Sequence, residues 1–538
     1  MKYVAIFHAN LNYAFLEEHK YESTIRASYE VIFDTFAKHP QAKYVFEASG
    51  YTIDEMAKRT PDVLEKLKLA IKNGQCEFMG APYAHPIMAN IPEDDGYWSC
   101  EFAQRTYEKH LGQRAESFWN PECTWRQYVP RAFKRAGVKY LTLDFESYMT
   151  SSHTEYAAIE RTRVRDIYWG GHLPWYPLDP DCKFLHRPFK DIVPGLNGMC
   201  RSDRLVGKYI GYFLGKTPLD DFISNVKAWT GSNKKGATII IADDAEYCGT
   251  TGYYFVKYHR DYSRSFSVDP TAADKLDKLI VAVSELGDWG TFKEACEEVP
   301  AVEEPFFVED GLAWHRTYAE CWGNTPEARN WEPILEGHRV AFTKEIKPIW
   351  DLKEHHDRLT PLVEKFWFHL SSSANSDGRW PPPPAVTCPW NRDWVLNEIA
   401  ETAKALKALR EAVKNIPLPE PTDDRGDPDN DWSYGLHFTD KNPEEVRKLN
   451  FYELSHAIYM FHRMVDSKHA DKKAYGLKFL KKCFAEWDRR GIVGVRPPSI
   501  RTQPWPPVAA KPKVKAKKAV KKPAKAPTKA RKTAKRSR

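Results

Sequence analysis

The chain has 538 residues, 42% hydrophobic and 28% charged, an ordinary globular balance with room for two or three domains. It contains no run of 18 apolar residues, so no membrane-spanning helix is expected, and its ten cysteines form no CxxC pair, which speaks against a zinc ribbon or a thioredoxin-type site. The formal charge of +7 is unevenly spread: residues 511–538 carry eleven Lys, three Arg and no acid, so the other 510 residues sum to −7.

The N-terminal MKYVAIFHANLNY has one basic residue and an apolar run of five, too short for a signal-peptide core. It predicts a first strand, and with it a cytoplasmic protein. Further apolar runs at Tyr44–Phe46, Cys76–Met79, Ser117–Trp119, Tyr140–Leu143 and Thr238–Ala242 predict strands like the first at Tyr3–Phe7. Helices fall between them. Thr60-Pro61 reads as an N-cap with proline at the first helical position, and Gly74 lies near the other end. A second helix runs from Asp94 to Leu111 before Gly112, and a third from Tyr128 to Arg135 before Gly137. Strand–helix alternation implies parallel strands with crossovers, in a barrel or a doubly wound sheet. No GxGxxG follows the first strand, whereas polar residues cluster just past strand ends: His8 and Asn10, His85, Glu122, Asp243 and Asp244. In a β/α barrel such positions converge on one mouth, which favours a barrel.

Residues 145–200 are aromatic, proline-containing and weakly periodic, and read as an insertion over that mouth. From about Phe306 the pattern turns helical, near 332–370, 394–415, 443–467 and 470–490. The acidic stretch Pro417–Trp432 lacks calcium-loop spacing and reads as a solvated loop. These patterns divide the chain into a barrel at 1–305, a helical domain at 306–500 and a disordered Lys/Ala/Pro tail at 501–538. The 13% aromatic content serves a large core, and it also suits clefts that stack rings on sugars.

A Glu after a strand is usually a cap or a surface charge, and a strand-end His is usually hydrogen-bonded structure. Several such segments in a fixed order weigh more. NGQCEFMGAPYAHP, FWNPECTW and IIIADDAEYCG resemble, in that order, the second, third and fourth motifs of glycoside hydrolase family 57. FHANLNY stands where the first motif belongs, CRSDRLVGKYIGY is similar to the family's Arg/Asp segment, and FHLSSSANSDGRW is a weaker match to the fifth motif. The resemblance implies an incomplete (β/α)7 barrel followed by a helical bundle, with retaining chemistry on α-glucans. It makes Glu122 the nucleophile and Asp244 the general acid/base, the residue two before Glu246. His8, His85 and Trp119 would line the donor-sugar subsite, with Asn10 and Asp243 beside them. Glu77 and Arg201 would support the site rather than react. Asn10, Ala245 and Tyr247-Cys248 depart from the family pattern, which bears on substrate preference more than on the two carboxyls.

The chemistry agrees with these residue types. Retaining glycoside hydrolysis needs one carboxyl to protonate the leaving oxygen and another about 5–6 Å away to attack the anomeric carbon. Their pKa values should separate, the acid raised and the nucleophile ionised. Water, a sugar hydroxyl or a branching acceptor could each complete the reaction, so amylase, 4-α-glucanotransferase and branching activity all stand. A second reading is a metal-dependent barrel enzyme, such as a polysaccharide deacetylase or a zinc α-mannosidase-like hydrolase. It requires clustered His and Asp ligands, where the first strand offers His8-Ala9-Asn10. No cofactor or metal is expected. The basic tail suits polyanion or nucleic-acid contact through phosphates, but it carries no aromatic residue for base stacking.

Overall fold

Strand β1 (Lys2–Ala9) is buried on both faces: Val4 and Ile6 point to one apolar layer, Tyr3, Ala5 and Phe7 to another. Burial on both faces is what a parallel sheet covered by helices requires. The computed structural model describes residues 1–152, 180–231, 237–308, 311–313, 317–323, 325–380, 389–419 and 445–449, and, between 454 and 489, part of a helical stretch ending in Ala470–Arg489.

The remaining strands of the sheet are β2 (Tyr44–Ser49), β3 (Cys76–Ala81), β4 (Ser117–Phe118), β5 (Tyr140–Asp144), β6 (Phe189–Val193), β7 (Leu196–Arg201), β8 (Thr238–Asp244) and β9 (Asp288–Trp289). Their order is β6-β7-β5-β4-β3-β2-β1-β8, with β9 pairing to the start of β1. All pairings are parallel except β6–β7. The sheet curls into a half-barrel with a distinct apolar interior. Val4, Ile6, Val45, Met79, Ala81, Trp119, Met199, Ile240 and Ala242 fill it, and Phe292, Ala295 and Cys296 of the helix Phe292–Glu298 complete it.

Each of the six expected strands forms, and all but the fourth run on by one to three residues toward the carboxyl end. The helices Pro61–Lys72, Glu93–Leu111 and Val129–Arg135 also form, and Gly112 takes φ 76° to end the second of them. Thr60, however, does not cap: its hydroxyl donates 3.3 Å back to the Met56 carbonyl, closing the helix Gly50–Arg59. The stretch 145–200 holds the helix Phe145–Ser152 and the strands β6 and β7; its residues 153–179 lie outside the described ones. Glycine and polar residues dilute the apolar alternation of β6 and β7, so periodicity passes over them.

Helices Pro326–Ala341, Lys353–Ser372 and Pro389–Val413 pack beyond the sheet. Phe342 and Phe366 stack at 4.9 Å, and Trp367 stacks on Trp98 of Glu93–Leu111 at 6.2 Å. The buried Arg339 side chain pairs with Asp95 on that same helix. Residues 1–500 form one compact unit; the basic tail and most of 420–469 lie outside the described residues. No described helix is long and apolar enough to cross a membrane. Eight cysteines whose side chains are described form no disulfide among the described residues, and all but Cys182 are buried.

Candidate active site

Register places the first polar residues together. His8 of β1 is the in-register partner of Glu47 on β2 and of Asp244 on β8. In a parallel sheet such partners share a face, here the interior one that continues Val4, Ile6, Val45, Ile240 and Ala242. His8 accordingly lies inside the mouth, its Nδ1 bonded to Glu47, its ring stacked on Trp119 at 5.3 Å and beside His85 at 4.9 Å. Charge attraction to Glu47, Asp244 and Glu246 outweighs burial and lifts His8 to about 10. His85 is driven the other way, well below its ordinary value, by burial and by the charge of His8.

Asp244 ends β8 on the interior face, and the Tyr13 hydroxyl donates 2.6 Å to its Oδ2. Burial raises its pKa, while His8 and Tyr13 pull it down. Asp243 belongs to the opposite face, that of Ile239 and Ile241, and its Oδ1 accepts the Asp244 amide at 2.8 Å. One residue of the pair therefore enters the mouth and its neighbour braces it from behind.

Glu122 sits in the turn after β4, where Pro121 follows Asn120. The Asn120 amide donates to Thr142 at 3.1 Å and its side-chain amide to the Thr124 carbonyl at 2.8 Å, which fixes the turn. Glu122 itself takes φ 52°, a left-handed conformation that a glutamate rarely adopts. Its Oε2 is buried with no hydrogen-bond partner among the described residues. Burial first, then the charges of Asp377 and Asp244, push it up to about 8, against the pull of His8 and Arg201. Both candidate carboxyls are thus shifted upward, and burial alone does not produce the expected division into an ionised nucleophile and a protonated acid.

Asn10 follows β1. Its amide donates to Glu246 at 2.9 Å and its side chain to Asp377 at 3.0 Å. Asp377 comes from the segment after helix Lys353–Ser372 and also accepts the Ala14 amide at 2.9 Å. That segment is fastened to the barrel: Ser376 donates to the His85 carbonyl at 3.2 Å and Asn375 to that of Ala84 at 2.9 Å. Asp377 is pushed up to about 6 by burial.

Glu77 is not at the mouth. It lies at the opposite end of β3, accepting from Ser117 and from the Lys293 amide at 2.8 Å, and so fastens the helix that plugs the barrel floor. Arg201, at the end of β7, forms ion pairs with Asp144 at 3.1 Å and Asp203 at 2.5 Å. Asp144, Glu146 and Asp203 are, among the described residues, the carboxylates whose oxygens approach within 4.8 Å as a metal set would. The Arg201 guanidinium already supplies that cluster with positive charge.

His8, Asn10, His85, Trp119, Glu122 and Asp244 therefore converge, joined by three residues absent from the sequence reading of the site. Glu47 had a signal, an acid inside an otherwise apolar strand. Asp377 lay within the weak fifth-motif match. Tyr13 had none beyond its place in FHANLNY.

A 4-alpha-glucanotransferase of Thermococcus litoralis is 24% identical over 192 residues, 34% of this chain and 28% of that protein. An alpha-amylase of Pyrococcus abyssi is 23% identical over 198 residues, 36% of this chain and 28% of that protein. The aligned part thus spans under a third of the length of either curated relative. The crystal structure of a GH57 branching enzyme from Thermococcus kodakaraensis shares the fold with TM-score 0.56 and 12% identity, over 78% of this chain and 92% of that one. The profile of glycosyl hydrolase family 57 matches residues 1–286, more than half of the sequence. By that match the chain belongs to glycosyl hydrolase family 57.

Proposed function

We propose that the protein is a retaining enzyme of α-glucan chemistry, cleaving an α-glucosidic bond and passing the glycosyl group to water or to another sugar. Glu122, in its ionised form, attacks the anomeric carbon as the Asp244 proton goes to the departing oxygen. The glycosyl–enzyme ester then breaks when Asp244, now the base, takes a proton from the acceptor. Atoms and charge balance over the two steps, and Asp244 ends as it began. Tyr13 supports the ionised intermediate state of Asp244 by donating to it.

The observation that carries this reading is the meeting of two carboxyls, the buried Glu122 and the half-buried Asp244, at the carboxyl ends of parallel strands beside His8 and Trp119. Trp119 offers an aromatic face to a pyranose ring. The same reading treats residues 1–305 as an incomplete (β/α)7 barrel and 306–500 as a helical domain that completes the cleft through Asp377, in a cytoplasmic enzyme. Incubation with maltooligosaccharides and with amylose, followed by product analysis, tests it. Shortening, disproportionation or new α-1,6 branches would identify the acceptor, and an absence of any glucan product would reject the proposal.

A further inference from the structure

Glu47, like Glu246, has no exposed surface at the mouth, and neither the family motifs nor the proposed chemistry uses it. Its Oε2 meets His8 Nδ1, and its Oε1 has no hydrogen-bond partner, so His8 is the one group it serves among the described residues. We propose that Glu47 is a positioning residue that fixes His8 as a hydrogen-bond donor, through Nε2, to the sugar bound in the cleft. This rests on the α-glucan reading above.

Glu47 and His8 share one proton more than a carboxylate beside a neutral ring. If that proton sits on the ring, His8 is an imidazolium and both nitrogens carry hydrogen. If it sits on Glu47, the carboxyl donates to Nδ1 and the ring keeps its hydrogen on Nε2. Either way Nε2 donates. Only loss of the shared proton lets Nε2 become an acceptor. The surroundings resist that loss. Asp244 and Glu246 face His8 from β8 and the turn after it, and Glu122, Asp243 and Asp377 also feel its charge. Trp119 covers one side of the ring with its π face, and His85, kept neutral, is the other ring beside it. His8 Nδ1 is taken up, so Nε2 is the ring atom left for a ligand. Glu47, held within β2, touches the cleft only through it.

The test compares pH profiles of kcat/KM on maltoheptaose for the wild type, Glu47→Gln and Glu47→Asp. Glutamine keeps the shape but cannot hold the extra proton, so His8 becomes neutral at ordinary pH. Activity at pH 7.5 should fall about tenfold or more. The alkaline limb should move to lower pH, because activity is then lost as pH rises through the lowered pKa of His8. Glu47→Asp, which keeps the carboxylate, should hold the limb near its wild-type position. An unshifted limb in a folded Glu47→Gln protein would overturn the proposal. A second measurement needs no variant at the buried site. Long-range 1H–15N spectra of histidine-labelled wild type, with His8 assigned through its absence in His8→Gln, should show a protonated Nε2 at pH 7.5. An unprotonated Nε2 there overturns the proposal even if every substitution at Glu47 unfolds the chain. A wild type that turns over no glucan but shows protonated Nε2 would instead reject the functional reading.

Discussion

Glu122 and His85 each hold a left-handed backbone, φ 52° and 53°, at a cost of about 1–3 kcal/mol apiece for residues with a Cβ. Such strain persists where the surroundings fix it, and here the Asn120 and Ser376 hydrogen bonds do so. Glu122→Gln should abolish turnover while leaving the circular dichroism spectrum unchanged, because an amide cannot attack the anomeric carbon. The same variant should be more stable at alkaline pH. Burial holds the Glu122 proton to about pH 8 in the folded chain, while the unfolded chain releases it near 4.5. Stability therefore falls as pH rises between those values, and the loss is complete above the upper one. Glutamine has no such titration, so its Tm advantage should be absent near pH 4.5 and reach about 5 °C or more at pH 8.5. Equal Tm values across that range would contradict the assigned burial. Asp244 and Asp243 should separate by leaving group. Asp244→Asn should nearly abolish action on ordinary glucans yet retain action on a glycosyl fluoride, whereas Asp243→Asn should lower both modestly. Strand alternation, visible in the sequence as IIIADD, says that only one of the two faces the mouth; the family pattern, two residues before Glu246, is what pointed to Asp244. The role of Glu47 was not legible, because it depends on which strand lies beside β1.

At the scale of elements, every apolar run that was continuous in the sequence became a strand, since a strand buried on both faces needs no alternation to announce it. Where Gly198 and Asn197 interrupt β7, the pattern failed, although that strand supplies Arg201. Its pairing with β5 is a long-range fact, set by the crossover and not by local propensity. The fifth-motif segment was similarly opaque: SSSANSD has no periodicity, and its structure is dictated by hydrogen bonds to Ala84, His85, Asn10 and Ala14. The turn after β8 shows how tightly such contacts are made. A Cβ on Gly249 would lie 1.8 Å from the Ala27 carbonyl oxygen, and Ser28 donates 2.9 Å to the Glu246 carbonyl alongside. Gly249→Ala must push the helical turn around Ala27, in Ile25–Glu30, away from that turn, which should cost about 2–3 kcal/mol or more and loosen Glu246 from the Asn10 amide. Urea unfolding should report a lower midpoint. A midpoint within error of the wild type would mean that the contact yields freely.

For the whole molecule, the charge division and the barrel site make separate claims. Deleting 511–538 removes +14 of charge with no core residue, so turnover of soluble oligosaccharides should be unchanged, while salt-sensitive retention on a polyanion column should weaken. Turnover should also survive EDTA, because the positive charges acting on the two carboxyls include His8, Arg201 and Lys257, all side chains. Inactivation reversed by zinc would favour the metal-dependent alternative. The central claim, that Glu122 carries the glycosyl group while Asp244 handles the proton, has a direct measurement. Asp244→Asn incubated with an α-maltosyl fluoride, whose leaving group needs no acid, should accumulate the ester because the base for its breakdown is missing. Intact-mass spectrometry should then show one added maltosyl unit, and peptide mapping should place it on Glu122. A label on another carboxylate, or no label while fluoride is still released, would contradict the assignment.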